Sequence, residues 1–161
     1  VQQSLGQALL TDQVDAIFGA FRNIEGVELA AQTDIVILPA TQLGVPDYAE
    51  LVILANPQLL ENDPDYARRV EAFLGAVAAG QQAALRDPQI AIDALTPQTE
   101  GSYDPQVLAA MVEATLALLP DDGFGSQSGA DWATYASWMF ENGLLDSPVE
   151  GARATTNDYL G

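Results

Sequence analysis

The sequence predicts an α/β protein in which strands crowd the first third of the chain and helices fill the remainder. Residues 35–38 (IVIL) are too uniformly apolar for a strand with one face in water, so we expect them to be buried on both faces. A strand–helix–strand order over residues 14–38 is typical of a βαβ-like unit. Beyond residue 55, capping side chains that directly precede prolines indicate a series of helices.

Three segments carry the strand prediction. Residues 14–21 (VDAIFGAF) are mostly apolar with a glycine near the end, residues 35–38 are wholly apolar, and residues 50–55 (ELVILA) follow a loop with two prolines and a glycine. Between the first two strands, residues 25–32 (EGVELAAQ) predict a helix with Asn23 as its N-cap. Three strands make a thin sheet for so many helices, so we expect part of the sheet to lie outside this sequence.

The predicted helices start where an asparagine or aspartate side chain can cap the helix and a proline fills its first position. Proline is tolerated there because its missing N–H would be unpaired in any case. The four steps are Asn56-Pro57, Asp63-Pro64, Asp87-Pro88 and Asp104-Pro105. A fifth helix is predicted to begin at Asp131 and to end at Asn142-Gly143. Its aromatic residues have a spacing that favours packing in a core, with one of the four exposed, and they are Trp132, Tyr135, Trp138 and Phe140.

Charge and composition exclude several classes of function. The chain has 161 residues with a formal net charge of −18, and it contains neither histidine nor cysteine. Cys/His zinc sites, Ser-His-Asp triads and disulfides are therefore excluded within this chain. A field this negative repels nucleic-acid backbones. The acidic loop at residues 121–125 lacks the spacing of a calcium loop, so we predict no metal site and no cofactor.

The candidate ligand site is the segment GAFRNIEG, residues 19–26, where a predicted strand turns into a helix. Ligands of open α/β sheets bind beyond such strand ends. Glu25 would lie in the first helical turn, where a carboxylate could accept hydrogen bonds from an amino group and a protonated ring nitrogen side by side. Phe21 offers an aromatic surface for stacking and Arg22 a planar guanidinium. The alternative is that an acidic residue in the first turn serves stability alone.

This segment is one of several sequence blocks that carry a family resemblance. The blocks cover nearly the whole chain and follow one another in the order expected for that family. They are residues 9–16 (LLTDQVDA), 21–29 (FRNIEGVEL), 43–48 (LGVPDY), 50–57 (ELVILANP), 138–145 (WMFENGLL) and 156–160 (TNDYL). Together they resemble the thiamine-pyrimidine-precursor branch of ABC-transporter solute-binding proteins. The resemblance implies a type II periplasmic-binding-protein fold, in which two α/β lobes hold the ligand in the cleft between them.

The same resemblance implies a ligand and a partner. Members bind the aminopyrimidine building block of thiamine, or its formylated relative, and deliver it to the permease of an ABC importer. Glu25 matches the glutamate that such proteins aim at the aminopyrimidine. Arg22 stands where the family often has an aromatic residue, which leaves an anionic ligand of the sulfonate or nitrate type open. The predicted ligand-binding set is Gly19, Phe21, Arg22, Asn23, Glu25 and Gly26.

Members of this family are about twice as long as this chain, which resembles their carboxy-terminal half. The resemblance assigns residues 1–48 to the end of lobe two, as a wall of the ligand cleft, and residues 49–161 to the return crossover strand and the C-terminal helices of lobe one. We expect a processed or excised product of an exported protein, periplasmic or anchored to the membrane as a lipoprotein. We also expect it to pair with a missing amino-terminal half or with a second copy of the chain.

An enzyme is the alternative function, because related fungal proteins of this fold make the thiamine pyrimidine from pyridoxal phosphate and histidine. That chemistry requires a lysine and a histidine, and this chain contains neither. No nucleophile–base pair or phosphate-binding loop can be identified. A missing amino-terminal half could carry both residues, so this argument applies to the present chain alone. We predict a binding protein and not an enzyme.

Overall fold

A computed structural model describes residues 2–99, 101–120 and 123–160, and every regular element among them is helical. The α-helices are α1 (Gln2–Leu10), α2 (Glu25–Ala30), α3 (Pro57–Asn62), α4 (Pro64–Arg86), α5 (Pro88–Leu95), α6 (Pro105–Leu116) and α7 (Gly129–Glu141). Two short 3₁₀ turns lie at Ala40–Leu43 and Gly151–Arg153.

The α/β prediction, and with it the partial periplasmic-binding-protein-like sheet, is wrong for the described residues. Residues 14–21 form turns and irregular chain, and residues 35–38 and 50–55 are also non-helical, but none of the three belongs to a strand. A strand exists only when its backbone N–H and C=O groups pair with a neighbour. Within the described ranges, no backbone-to-backbone hydrogen bond involves residues 46–55 or residues 34–38. These segments have the apolar pattern of strands, but their described backbone groups do not pair with a neighbouring strand.

The four predicted Asx-Pro helix starts are confirmed. The Asn56 side chain accepts hydrogen bonds from the backbone N–H groups of Gln58 and Leu59, and Pro57 is the first residue of α3. The aspartates Asp63, Asp87 and Asp104 each accept from a backbone N–H two residues onward, at distances of 2.8–3.1 Å. Each of these bonds satisfies a donor that the helix itself leaves unpaired.

Two of the predicted caps are wrong by a few residues. Ser128, not Asp131, caps α7, because its hydroxyl accepts a hydrogen bond from the Asp131 N–H at 3.2 Å. The residue before α2 is Ile24, not Asn23, and it makes no side-chain cap. The predicted end of α7 is correct, since Asn142 is its C-cap and Gly143 has a φ of 71°, a left-handed conformation that glycine adopts readily.

The described chain divides into two compact units. The first unit contains residues 1–37 and 82–121, in which α2 packs against α1 and α6, and α6 packs against α5. Its buried apolar side chains come from three helices, and they are Leu29, Ala84, Leu108, Met111 and Val112.

The second unit contains residues 38–81 and 122–161. Its main contact is between α7 and the 3₁₀ turn Gly151–Arg153, where Ala136 and Gly151 are buried. A Cβ atom on Gly151 would lie only 2.8 Å from the Cβ of Ala136 and closer still to the Trp132 carbonyl oxygen. Position 151 therefore has no room for a side chain.

Several large apolar side chains remain exposed in the non-helical segments. Val36 and Leu38 are 86% and 66% exposed, and Leu51 and Leu54 are 84% and 88% exposed. Single exposed apolar residues are normal on a protein surface. Two separate runs of consecutive exposed apolar residues are not. Among the described helices, none has the length and hydropathy needed to cross a membrane.

Candidate functional site

The predicted ligand segment forms a tight turn that leads into α2. The carbonyl oxygen of Phe21 accepts hydrogen bonds from the N–H groups of Ile24 and Gly26, at 3.1 and 3.0 Å. The N–H of Phe21 donates in turn to Oε2 of Glu25, at 2.8 Å. Both the C=O and the N–H of Phe21 are thus hydrogen-bonded. The Glu25 side chain, in the first turn of α2, bonds back to the residue four positions before it.

Glu25 is the one buried ionisable side chain in the described ranges, with 8% of its surface exposed. Burial of a carboxylate is tolerated when hydrogen bonds replace its water, and here the Phe21 N–H supplies one. Oε1 accepts no hydrogen bond from a described residue. The structure therefore holds this carboxylate in one orientation and leaves one oxygen without a partner among the described residues.

Asn23 ties the same turn to a distant part of the first unit. Its side-chain N–H donates to the Thr115 hydroxyl at 2.9 Å, and that hydroxyl donates to the Met111 carbonyl at 2.8 Å. Ninety-two positions separate Asn23 from Thr115, so no local pattern could have predicted the contact. Asn23 acts here as a structural tether between the turn and α6.

The remaining predicted residues differ in exposure. Gly26 is buried, and a Cβ atom there would approach Cδ1 of Ile37 to 3.1 Å. Phe21 is half-buried, while Arg22 and Gly19 are exposed, the latter with a φ of 81°. Arg22 takes part in none of the described ion pairs. The structure thus brings Phe21, Glu25 and Gly26 together and directs Arg22 to solvent.

Each unit also contains a hollow, and none of the six predicted residues lines either of them. In the first unit a hollow of about 220 Å³ lies beside α2. Its lining residues are Glu28, Ala31, Gln32, Ser102, Tyr103, Asp104 and Val107.

In the second unit a larger open groove, of about 730 Å³, lies between residues 46–52 and the start of α7. We call it the aromatic groove, because Tyr48, Trp132 and Tyr135 line it. The rings of Tyr48 and Tyr135 are stacked, with centroids 4.4 Å apart and planes 5° apart. Tyr135 is in turn nearly parallel to Trp138, at 5.9 Å.

The sequence had indicated core packing for the aromatic residues of α7, and the structure differs. Trp132, Tyr135 and Trp138 are half-buried and Phe140 is 41% exposed. Tyr135 and Trp138 lie three residues apart on one helix, and this spacing brings their rings within stacking distance. What it could not supply was Tyr48, which completes the stack from a loop.

The described charged residues that line the aromatic groove are all acidic. Asp47, Glu50 and Asp131 line it, and none of its described lining residues is basic. Partial burial raises the pKa of the Tyr48 phenol, and Glu50 and Tyr135 raise it further. The phenol therefore stays protonated and neutral over a wider pH range than a free tyrosine.

No cluster of acidic residues suited to a metal ion occurs within residues 2–99, 101–120 and 123–160. The acidic loop considered above includes Asp121 and Asp122, which lie outside the described residues.

Comparison with known proteins identifies the family. The family described as NMT1/THI5 like matches residues 1–91, which is more than half of the chain. The chain therefore belongs to the NMT1/THI5-like family, and the resemblance to thiamine-pyrimidine-precursor proteins is confirmed.

Two relatives are informative. A formylaminopyrimidine-binding protein from Halalkalibacterium halodurans is 28% identical over 153 residues, which cover 90% of this chain and 45% of the relative. A protein from Haemophilus influenzae that is named for thiamine biosynthesis is 43% identical over 79 residues, which cover 48% of this chain and 23% of the relative. The chain thus spans less than half the length of each relative. No solved structure matches it significantly.

Proposed function

We propose that this chain is part of a solute-binding protein that binds a small aminopyrimidine precursor of thiamine. The observation that carries the proposal is the buried Glu25 side chain, whose Oε2 accepts a hydrogen bond from the Phe21 N–H while Oε1 accepts none from a described residue. The relative that matches 90% of this chain is named as a formylaminopyrimidine-binding protein. A carboxylate held in this way suits an aminopyrimidine whose ring nitrogen is protonated, because the amino group and that ring N–H then present two donors at one edge.

A binding protein fits this chain better than a synthase does. The relative that matches 90% of this chain is named as a binding protein. The lysine and histidine that pyridoxal-phosphate chemistry of this kind requires are absent from this chain, so polypeptide outside it would have to supply both. We further propose that the protein is exported and passes its solute to the permease of an ABC importer. The similarity to a named binding protein supports this role.

The solute site is proposed to be completed by polypeptide equivalent to the part of the relatives that this chain does not match, or by a second copy of the chain. The exposed apolar runs around Val36 and around Leu54 support this, because they are surfaces that a folded protein ordinarily covers. The assignment of residues 1–48 and 49–161 to two different lobes stays a prediction.

Glu25→Gln tests the proposed site. The glutamine oxygen can still accept from the Phe21 N–H, so the turn is retained while the charge is lost. We expect binding of formylaminopyrimidine to weaken by about 1.5–3 kcal/mol, the range for a hydrogen bond to a charged group. Isothermal titration calorimetry measures the affinity, and circular dichroism verifies that the helix content is unchanged.

Glu28→Gln is the matched control, because it removes the same charge from the same helix at a side chain that makes no described hydrogen bond. It should leave the affinity within about twofold of the original, because the Glu28 side chain is half-buried and makes no described hydrogen bond or ion pair. An unchanged affinity in Glu25→Gln, or an equal loss in both variants, would remove Glu25 from the site. Tighter binding of an organic sulfonate than of the pyrimidine would instead favour an anion-binding protein.

A further inference from the structure

The aromatic groove has the chemical features of a ligand site, and its residues are all distinct from those around Glu25. Its volume of about 730 Å³ lies within the range of pockets that hold small molecules. It is formed by residues 46–52 together with residues 126–135, all of which belong to the second unit.

The first feature is a flat aromatic wall. Tyr48 and Tyr135 stack with an interplanar angle of 5°, which leaves Tyr48 as the outer ring of the stack and 38% exposed. The Trp132 indole N–H donates to the Gln127 side-chain oxygen at 2.7 Å, so the orientation of this ring is fixed as well. Parallel and fixed rings favour a planar ligand, because stacking then requires little ordering of the protein.

The second feature is the uncompensated negative charge on the lining. Asp47, Glu50 and Asp131 all belong to the lining of the groove, and they take part in none of the described ion pairs. Aromatic faces carry partial negative charge and attract cations. Rings and carboxylates therefore favour the same sign of ligand, and both disfavour an anion.

We propose that the aromatic groove binds a planar organic cation, of the class of positively charged nitrogen heterocycles. The ring of the ligand stacks on Tyr48, and its positive charge lies near Glu50 and Asp131. Because the Tyr48 phenol remains neutral well above neutral pH, the aromatic wall persists unchanged across the physiological range.

The direct test uses 1-methylquinolinium as the probe and neutral quinoline at pH 8 as its uncharged counterpart. We expect the cation to bind about tenfold or more tightly than quinoline, because it gains the attraction of both the rings and the carboxylates. Isothermal titration calorimetry on the full chain gives both dissociation constants. Equal affinity for quinoline, or tighter binding of the anion 1-naphthoate, would overturn the proposal.

Variants then locate the binding. Tyr48→Leu should weaken binding of 1-methylquinolinium about fivefold, whereas Tyr48→Phe should retain it, since the ring face and not the hydroxyl makes the contact. Glu50→Gln should weaken it about two- to fivefold, because an exposed charge contributes modestly. The control Glu71→Gln removes the same charge from an exposed position on α4.

Glu71→Gln should leave the dissociation constant within error of the original. An equal effect of Glu50→Gln and Glu71→Gln would mean that net charge alone attracts the probe, and the proposal would be wrong. If Tyr48→Leu lowers the helix content, Glu50→Gln decides the matter by itself, because Glu50 is exposed and supports no described packing. The outcome is independent of the Glu25 experiment, since the two sites share no residue.

Discussion

Leu29→Ala is expected to lower the free energy of unfolding by about 2–5 kcal/mol, the range measured when a buried leucine is truncated. Leu29 is 4% exposed and lies on α2, which packs against both α1 and α6. Removing its side chain loses apolar burial and leaves a cavity that the neighbouring helices fill only in part. Because a whole domain is stabilised by only about 5–15 kcal/mol, this loss is a large share of the total.

Urea unfolding followed by circular dichroism measures the effect as a shift of the midpoint. Leu54→Ala is the control, since it removes the same atoms from a side chain that is 88% exposed. We expect it to change stability by no more than about 0.5 kcal/mol, as is usual for surface positions. Similar losses in both variants would show that Leu29 is not part of a packed core in solution.

Gly151→Ala is expected to destabilise the second unit by about 1–3 kcal/mol, the range for overpacking a filled interior. The upper part of the range is expected here, because the new methyl group would meet the Trp132 carbonyl and the Ala136 Cβ of α7. Backbone atoms of a helix cannot rotate away as a flexible side chain can. The 3₁₀ turn Gly151–Arg153 must therefore move off the helix that it packs against.

Both tryptophans of the chain, Trp132 and Trp138, lie on α7, so their fluorescence follows unfolding at this contact. Gly80→Ala on α4 is the matched control, because nothing lies within 4 Å of a Cβ atom built there. In a helix interior this change should stabilise by about 0.5–1 kcal/mol. The two glycine-to-alanine changes are therefore expected to alter the free energy of unfolding in opposite directions. A stabilised Gly151→Ala variant would contradict the packing described at this turn.

The helices of the second half could be predicted because their signals are local. Asp87 followed by Pro88 supplies a cap and a first residue within two positions, and the backbone needs nothing distant to use them. The end of α7 at Asn142-Gly143 was predictable for the same reason. The cap at Ser128 was missed because Asp131, three residues later, is also a good capping residue.

The strands could not be predicted correctly because apolar runs indicate burial and not pairing. Residues 35–38 and 50–55 have the composition of strands, but strand formation depends on a partner elsewhere in the polypeptide. Within the described ranges that partner is absent, so the segments stay irregular and largely exposed. Composition alone does not distinguish a segment that has a partner from one that lacks it.

The candidate site was partly predictable. An acidic residue at the start of a helix was expected for Glu25, and the structure places it in the first turn of α2. Its bond to the Phe21 N–H follows from the same four-residue spacing that closes a helical turn. The tether from Asn23 to Thr115 and the stack of Tyr48 on Tyr135 join distant positions, so only the folded chain reveals them.

The exposed runs around Val36 and Leu54 also determine the colloidal behaviour of the chain by itself. A net charge of −18 makes copies of the chain repel one another, and this repulsion opposes their association through the exposed apolar patches. The repulsion reaches about 10 Å in 0.1 M salt and only about 3 Å in 1 M salt. Dilute buffer should therefore keep the polypeptide dispersed, and concentrated salt should bring copies together through these patches.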